Sequence, residues 1–408
     1  MTIADHPPSS EDRGGGTAIE VLLIFLRLGV SCFGGPIAHI GYFRDEFVTR
    51  RRWLDEQSYA DLVGLCQFLP GPASSQVGFS IGLMRAGYLG GLAAWTGFTL
   101  PSAALLVLFA YGAGALGGPL GTGLLHGLKL VAVAIVAQAV WGMARALCPD
   151  RERATIATIA ALIVLLGASS VAQVGAILFG AFAGLWFCEA APAASAAHIT
   201  MPVSRRAGLA ALAAFFVLLG LFVLPAHFPR QGIDLFAAFY RSGALVFGGG
   251  HVVLPLLREA FVAPGWVGDD AFLAGYGAAQ AVPGPLFTFA AYLGFVVRPE
   301  PNGLAGAALG LVGIFLPGIL ILVGTLPFWD AFRVRPRAQA AMRGVNAAVV
   351  GLLGAALYNP VWVTSVRTPA DFAVALVGFV LLVVWRAPPL LVVAVSAIGG
   401  IALAWGSL

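Results

Sequence analysis

Charge is scarce in this sequence. Asp, Glu, Lys and Arg make up 10% of its 408 residues, against about 25% in soluble globular domains. Hydrophobic residues reach 59% and mean hydropathy is +0.91. A chain this apolar has lipid as its solvent, and stretches long enough to cross a hydrocarbon core of about 30 Å recur from Ile19 to Trp405. The loops between them are too short for a soluble domain. Cysteine is sparse and dispersed: Cys32, Cys66, Cys148 and Cys188 stand singly among apolar residues, without CxxC spacing. They read as small buried hydrophobes rather than a disulfide framework or a metal site.

Catalytic signatures are missing too. There is no HExxH, no Walker sequence, and no GxSxG accompanied by triad partners, so neither enzyme chemistry nor a cofactor is expected. Without a nucleotide loop, any transport must draw on membrane potential or an ion gradient. The start of the chain lacks the basic residues and cleavage site of a signal peptide. The net charge of +4 does not point to nucleic acid, because the arginines gather in short clusters between apolar segments. Arg44, Arg50, Arg51 and Arg52 form one cluster, and Arg333, Arg335, Arg337 and Arg343 another, as positive-inside signals do.

What the chain does have is an internal repeat. At an offset of about 214 residues Phe25-Leu26-Arg27 meets Phe239-Tyr240-Arg241, and Phe33-Gly34-Gly35 meets Phe247-Gly248-Gly249. Arg44-Asp45 then matches Arg258-Glu259, Trp53 matches Trp266, and Gln67-Phe68-Leu69-Pro70-Gly71-Pro72 matches the run from Gln280 to Pro285. Pro101 pairs with Pro317, and Gly127-Leu128-Lys129 with Gly344-Val345-Asn346. The expected organisation is a disordered tail (1–17), a first repeat (18–191), a linker with a joining helix (192–230) and a second repeat (231–408).

Within each repeat an apolar segment reaches the Gly-Gly break and an amphipathic return follows (37–48, 252–262). A second segment is interrupted by Pro-Gly-Pro (59–84, 271–297). Four further apolar segments complete the first half (88–116, 124–147, 154–167, 171–189) and the second (304–328, 338–358, 371–385, 389–405).

Equivalent loops carry opposite arginine loads. Arg44 to Arg52 face Arg258 alone, the bare stretch 117–123 faces Arg333 to Arg343, and Arg145, Arg151 and Arg153 face Arg367. By the positive-inside rule the two copies are inverted. Four crossings per half plus one joining helix invert the second copy only if both broken elements enter and leave on one side. The expected fold is therefore an all-α polytopic membrane protein of two inverted repeats with re-entrant or broken helices at Gly-Gly and Pro-Gly-Pro.

Pro70 and Pro283 end one helix, and Pro72 and Pro285 suit the first position of the next. The amides of Ala73, Ser74 and Ser75, and of Leu286, Phe287 and Thr288, then sit at helix N-termini, where partial positive charge and free donors bind anions. Broken backbone at membrane depth survives only inside protein or beside water. Gly34, Gly35 and Gly71 with Gly248, Gly249 and Gly284, flanked by Gln67 and Gln280, thus outline an anion site on the pseudo-two-fold axis. Arg27, Arg241 and Lys129 are candidate attracting cations inside apolar segments, with Asn346 the neutral counterpart of Lys129. His39, His251 and Asp61 are candidate proton carriers.

These paired motifs, Phe33-Gly34-Gly35-Pro36 with Gln67 to Pro72, and Phe247-Gly248-Gly249-Gly250-His251 with Gln280 to Pro285, resemble the long-chain, two-repeat form of the chromate ion transporter family from about Ile19 to Trp405. Gly250 stands where the first repeat has Pro36. The resemblance implies secondary efflux of chromate across the bacterial inner membrane, chromate resistance, and sulfate as a look-alike. The implied partners are an oxyanion and membrane lipid, and a homodimer is compatible with it. An anion channel, or a carrier of sulfate or another oxyanion, stays open as the alternative. A membrane scaffold gives no reason for duplicated breaks at membrane depth.

Overall fold

The structure is a computed structural model describing residues 16–33, 35–113, 118–167, 170–188, 202–223, 231–247, 252–298, 300–329 and 335–406. Gly34, Gly248, Gly249, His251, Arg333 and residues 1–15 of the expected tail lie outside them. Among the described residues all regular structure is helical.

Thr17 opens α1 (Ala18–Ser31) by accepting from the Glu20 amide. The chain returns as α2 (Gly35–Arg44) and a π-helical turn (Asp45–Arg50). Asp55 caps α3 (Glu56–Phe68) through the Ser58 amide at 2.8 Å. Pro70 terminates α3, because it forces Leu69 into extended backbone. α4 (Ala73–Ala113) begins past Pro72 and breaks at Ala86 and Gly87. Beside that break Arg85 pairs with Glu20 at 3.5 Å, and Arg51 lies 3.9 Å from the same carboxylate. The start of α1, the end of α2 and the close of the α3–α4 hairpin therefore share one mouth. Both broken elements enter and leave at the same end.

α5 (Gly118–Leu147), α6 (Arg151–Gly167), α7 (Ser170–Phe187) and the joining helix α8 (Arg205–Val223) follow. The second repeat restates the plan with α9 (Gln231–Ala244), α10 (Val253–Phe261) and α11 (Asp269–Ala281). A 3-10 turn (Leu286–Thr288) leads into α12 (Phe289–Val296), then α13 (Gly303–Thr325) and α14 (Pro336–Ala356). α15 (Pro369–Val383), opened by a Thr368–Asp371 capping box, and α16 (Pro389–Gly406) complete it. The second mouth is closed by a hydrogen bond from the Arg298 amide to the Trp266 carbonyl at 3.1 Å. Even the ion pairs repeat: Arg44 with Glu56 at 2.6 Å corresponds to Arg258 with Asp269 at 3.0 Å.

The limb of α4 beyond Gly87 leaves the first mouth and ends with Tyr111 against Phe295 of α12, ring centroids 4.6 Å apart, at the second. The mouths thus lie at opposite ends, which is the inversion predicted by the arginine loads. Cys188, at the end of α7, lies within electrostatic reach of both Arg153 and Arg343, so these two arginines share one end.

Among the described residues five helical stretches are long and apolar enough to cross a membrane (Ala73–Gly112, Leu120–Leu147, Arg205–Phe222, Gly303–Phe328 and Pro336–Ser365). α6, α7, α15 and α16 hold 17, 18, 15 and 18 residues. They pair as hairpins, and each hairpin packs on the opposite half: α6 and α7 against α14, α15 and α16 against α5.

Candidate functional site

Each Pro-Gly-Pro tip is lodged in the other repeat. The Gly71 amide donates to the Val246 carbonyl at 2.7 Å, and the Gly284 amide donates to the Cys32 carbonyl at 2.8 Å. Cys32 and Val246 are the residues just before Phe-Gly-Gly in each half, so the two bonds are one contact seen twice. Gly71 and Gly284 hold φ of +116° and +92°, backbone that side chains with a Cβ rarely adopt. A Cβ on Gly71 would stand 2.9 Å from Gly318 Cα, and one on Gly284 3.1 Å from the Phe98 carbonyl and 3.2 Å from Ser102 Oγ. Gly318 and Ser102 each follow the paired proline, Pro317 or Pro101, of the opposite half.

Polar side chains fasten both tips. Gln76 Nε2 donates to the Pro70 and Gly318 carbonyls, both at 2.9 Å. Ser102 Oγ donates to Thr288 Oγ1 at 2.7 Å, and Thr288 Oγ1 donates to the Pro285 carbonyl at 2.7 Å. The helix starts are not identical. α4 makes its first backbone bond from Gln76 to Pro72 at 2.9 Å, leaving the amides of Ala73, Ser74 and Ser75 ahead of the ladder. In the second half the Thr288 amide already donates to Pro285 at 3.0 Å. The expectation of free donors there is corrected for Thr288, amide and hydroxyl alike; the tight 3-10 turn uses both. Leu286 and Phe287 stay at the tip, with Phe287 packed on Phe315 at 5.8 Å.

Several buried polar atoms have no hydrogen-bond partner among the described residues: Ser75 Oγ, Gln76 Oε1, Thr99 Oγ1, Gln280 Nε2, Asn346 Oδ1 and His39 Nε2. Each such group left dry costs about 1–3 kcal/mol. His39 is fully buried, edge-on to Phe98 at 5.2 Å, with Nδ1 3.4 Å from Ser74 Oγ, so it belongs to the first tip. Gln67 is exposed whereas Gln280 is half-buried, and Asp61 is half-buried on α3. Gly35 starts α2 with φ of +78°.

The three cations do not converge on the tips. Arg27 lines a cleft of about 200 Å³ between α1 and α2 with Asp45, Glu46 and Arg50. Arg241 donates to the Phe222 carbonyl of α8 at 3.1 Å. Lys129, read as a candidate attracting cation, pairs with Asp270 at 2.8 Å, a carboxylate 141 residues away in the chain. At the first mouth burial would raise the Glu46 carboxyl, but hydrogen bonds from Arg50 and Arg51 outweigh that and hold it below the usual range.

Thr99, Ser102, Asp270 and the His126–Asp371 pair at 2.7 Å were not singled out by motif. The pairing of Pro101 with Pro317 was the available signal for Ser102, the next residue. Among the described residues no group of His, Cys and carboxylates could hold a metal ion.

The family described as chromate transporter matches the chain twice, at residues 19–185 and 233–401. The chain belongs to the chromate transporter family. A chromate transport protein of Pseudomonas aeruginosa is 29% identical over 398 residues, covering 92% of this chain and 89% of that protein. A probable chromate transport protein of Synechococcus elongatus is 26% identical over 408 residues (92% and 93%). A chromate transport protein of Cupriavidus metallidurans is 25% identical over 372 residues (89% and 86%). No solved structure matches. Each stretch matched in this chromate transporter family member contains one lodged tip, Gly71 in the first and Gly284 in the second.

Proposed function

We propose that the protein is a secondary active transporter that exports chromate across the bacterial inner membrane, conferring chromate resistance, with sulfate as a second tetrahedral dianion. The observation that carries this reading is the reciprocal lodging of the two tips, with buried donors at Ser75 and Gln280 that lack a partner. An oxyanion entering there accepts from those donors and from the helix-start amides of Ala73, Ser74 and Ser75. Neutral donors bind a dianion while leaving it free to depart. Arg27, Arg241 and Lys129 act at the approaches rather than on the bound ion. His39, beside Ser74, is the proton carrier best placed to sense occupancy. The arginine-rich mouth faces the cytoplasm, and with it the start of α1.

The test is flux of labelled chromate and sulfate into everted membrane vesicles under an imposed ion gradient. Saturable, gradient-dependent uptake of chromate is expected. Currents indifferent to the counter-ion gradient favour an anion channel. Folded protein with no saturable flux of either anion overturns the proposal.

A further inference from the structure

α3 and α11 are the same element of the two repeats, aligned by Gln67 with Gln280 and Gly71 with Gly284. α11 is walled in by α5 and α16. A Cβ on Gly277 would stand 2.2 Å from the Leu128 carbonyl oxygen. The next residue of α5, Lys129, closes the seam through Asp270. By symmetry α3 has an equivalent seat against α14 and α7, and it does not take it. Gly64, the counterpart of Gly277, has nothing within 4 Å of where a Cβ would stand, and Gln57, Ala60, Gly64 and Gln67 are all exposed.

The facing helix is arranged to match. Val345 is the counterpart of Leu128 and Asn346 that of Lys129, and the side-chain oxygen Oδ1 of Asn346 is buried without a partner among the described residues. α10 meanwhile leans on α14 and α7, with Gln173 Nε2 3.5 Å from the Pro255 carbonyl. The space between the two exchanged hairpin assemblies is thus filled from the second mouth by α10 and α11. Towards the first mouth it is loose: α5 is buried throughout 127–136 and only partly buried or exposed over 137–147.

When two inverted repeats hold different contacts, exchanging the contacts between them defines a second state. We propose that the molecule alternates between this state and one in which α3 seats against α14, Gly64 meets the Val345 carbonyl, Gln57 meets Asn346, and the Lys129–Asp270 latch opens. The inference rests on the transport reading above and gives it its two gates. The latches are unequal: an ion pair closes the second mouth, and two neutral amides close the first.

The experiment places cysteine pairs in a chain whose four native cysteines are replaced by alanine. Lys129→Cys with Asp270→Cys reports the state described here, and Gln57→Cys with Asn346→Cys reports the exchanged one. A short bis-methanethiosulfonate, which forms a reducible disulfide with each cysteine and releases methanesulfinate, is applied in native membranes and linked peptides are read by mass spectrometry. Both pairs are expected to link within one chain. Linking 129 to 270 lowers chromate flux about tenfold or more, reversibly on reduction. Adding Gly64→Trp, which fills the empty seat, lowers 57–346 linking about tenfold and spares the 129–270 link. Flux without any 57–346 link sinks the exchange and leaves the transport reading intact. Both links without flux of chromate or sulfate support the exchange and sink the transport reading. A link between position 57 of one chain and position 57 of a second copy, without 57–346, overturns the proposal by making the open face of α3 an interface between chains.

Discussion

At the tips the two halves make the same contacts, Gly71 to Val246 and Gly284 to Cys32, whereas the faces behind the tips differ completely. Gly277 is pressed on a carbonyl and Gly64 faces open space. The difference separates a pivot from the parts that turn on it. A contact present in both repeats at once is compatible with every state the pair can adopt. One present in a single repeat describes a state.

Substitution at the pivot tests that division most severely. Gly71→Leu and Gly284→Leu each impose a Cβ at φ of +116° or +92° and against close neighbours. Such backbone costs about 1–3 kcal/mol before any clash is counted. Vesicle flux is expected to vanish in both variants, and survival of one at full rate would show that the tips are not equivalent.

Behind the pivot, alanine replacements should have opposite signs. Gly277→Ala overpacks the α5 seam and is expected to cost about 1–3 kcal/mol. Gly64→Ala, in open space within α3, gains up to about 1 kcal/mol from helix propensity. Thermal unfolding in detergent measures both, and equal shifts would erase the asymmetry.

Lys129→Gln removes the ion pair from the latch of the second mouth. Because the Asp270 side chain is 73% exposed, the stability change stays under about 1 kcal/mol. In the Lys129→Gln background the exchanged state gains population, so labelling of the thiol in Gln57→Cys, exposed in the state described here, should slow.

The smallest effect concerns pH at the first mouth. Glu46 is held below the ordinary carboxylate range, so its contribution is present above that range and lost as pH falls through the lowered value. Melting temperature should decline on acidification, and Glu46→Gln should flatten that decline.

The repeat, the inversion and the tips were legible because Gly and Pro impose backbone demands wherever they occur, and arginines cannot sit in lipid. Pro70 stops a helix whatever surrounds it. The pairing of Lys129 with Asp270 was not legible: neither residue constrains its own neighbourhood, and 141 residues separate them. Nor was the contrast between Gly64 and Gly277, since identical residues at equivalent positions differ only in what the fold brings against them. The exchange of hairpins escaped for a related reason. Gly180 and Gly184 read as ordinary apolar helix, yet their seat is Gly344 of the other repeat.

That exchange bears on how the protein is made. When the first repeat has left the ribosome, α6 and α7 have no seat, because α14 is not yet synthesised. The nascent hairpin must wait in the bilayer or with an insertion chaperone until the second repeat arrives. The halves then interlock like clasped hands. Two fragments cut in the 189–201 stretch would have to be co-expressed to persist, each serving as the other's scaffold.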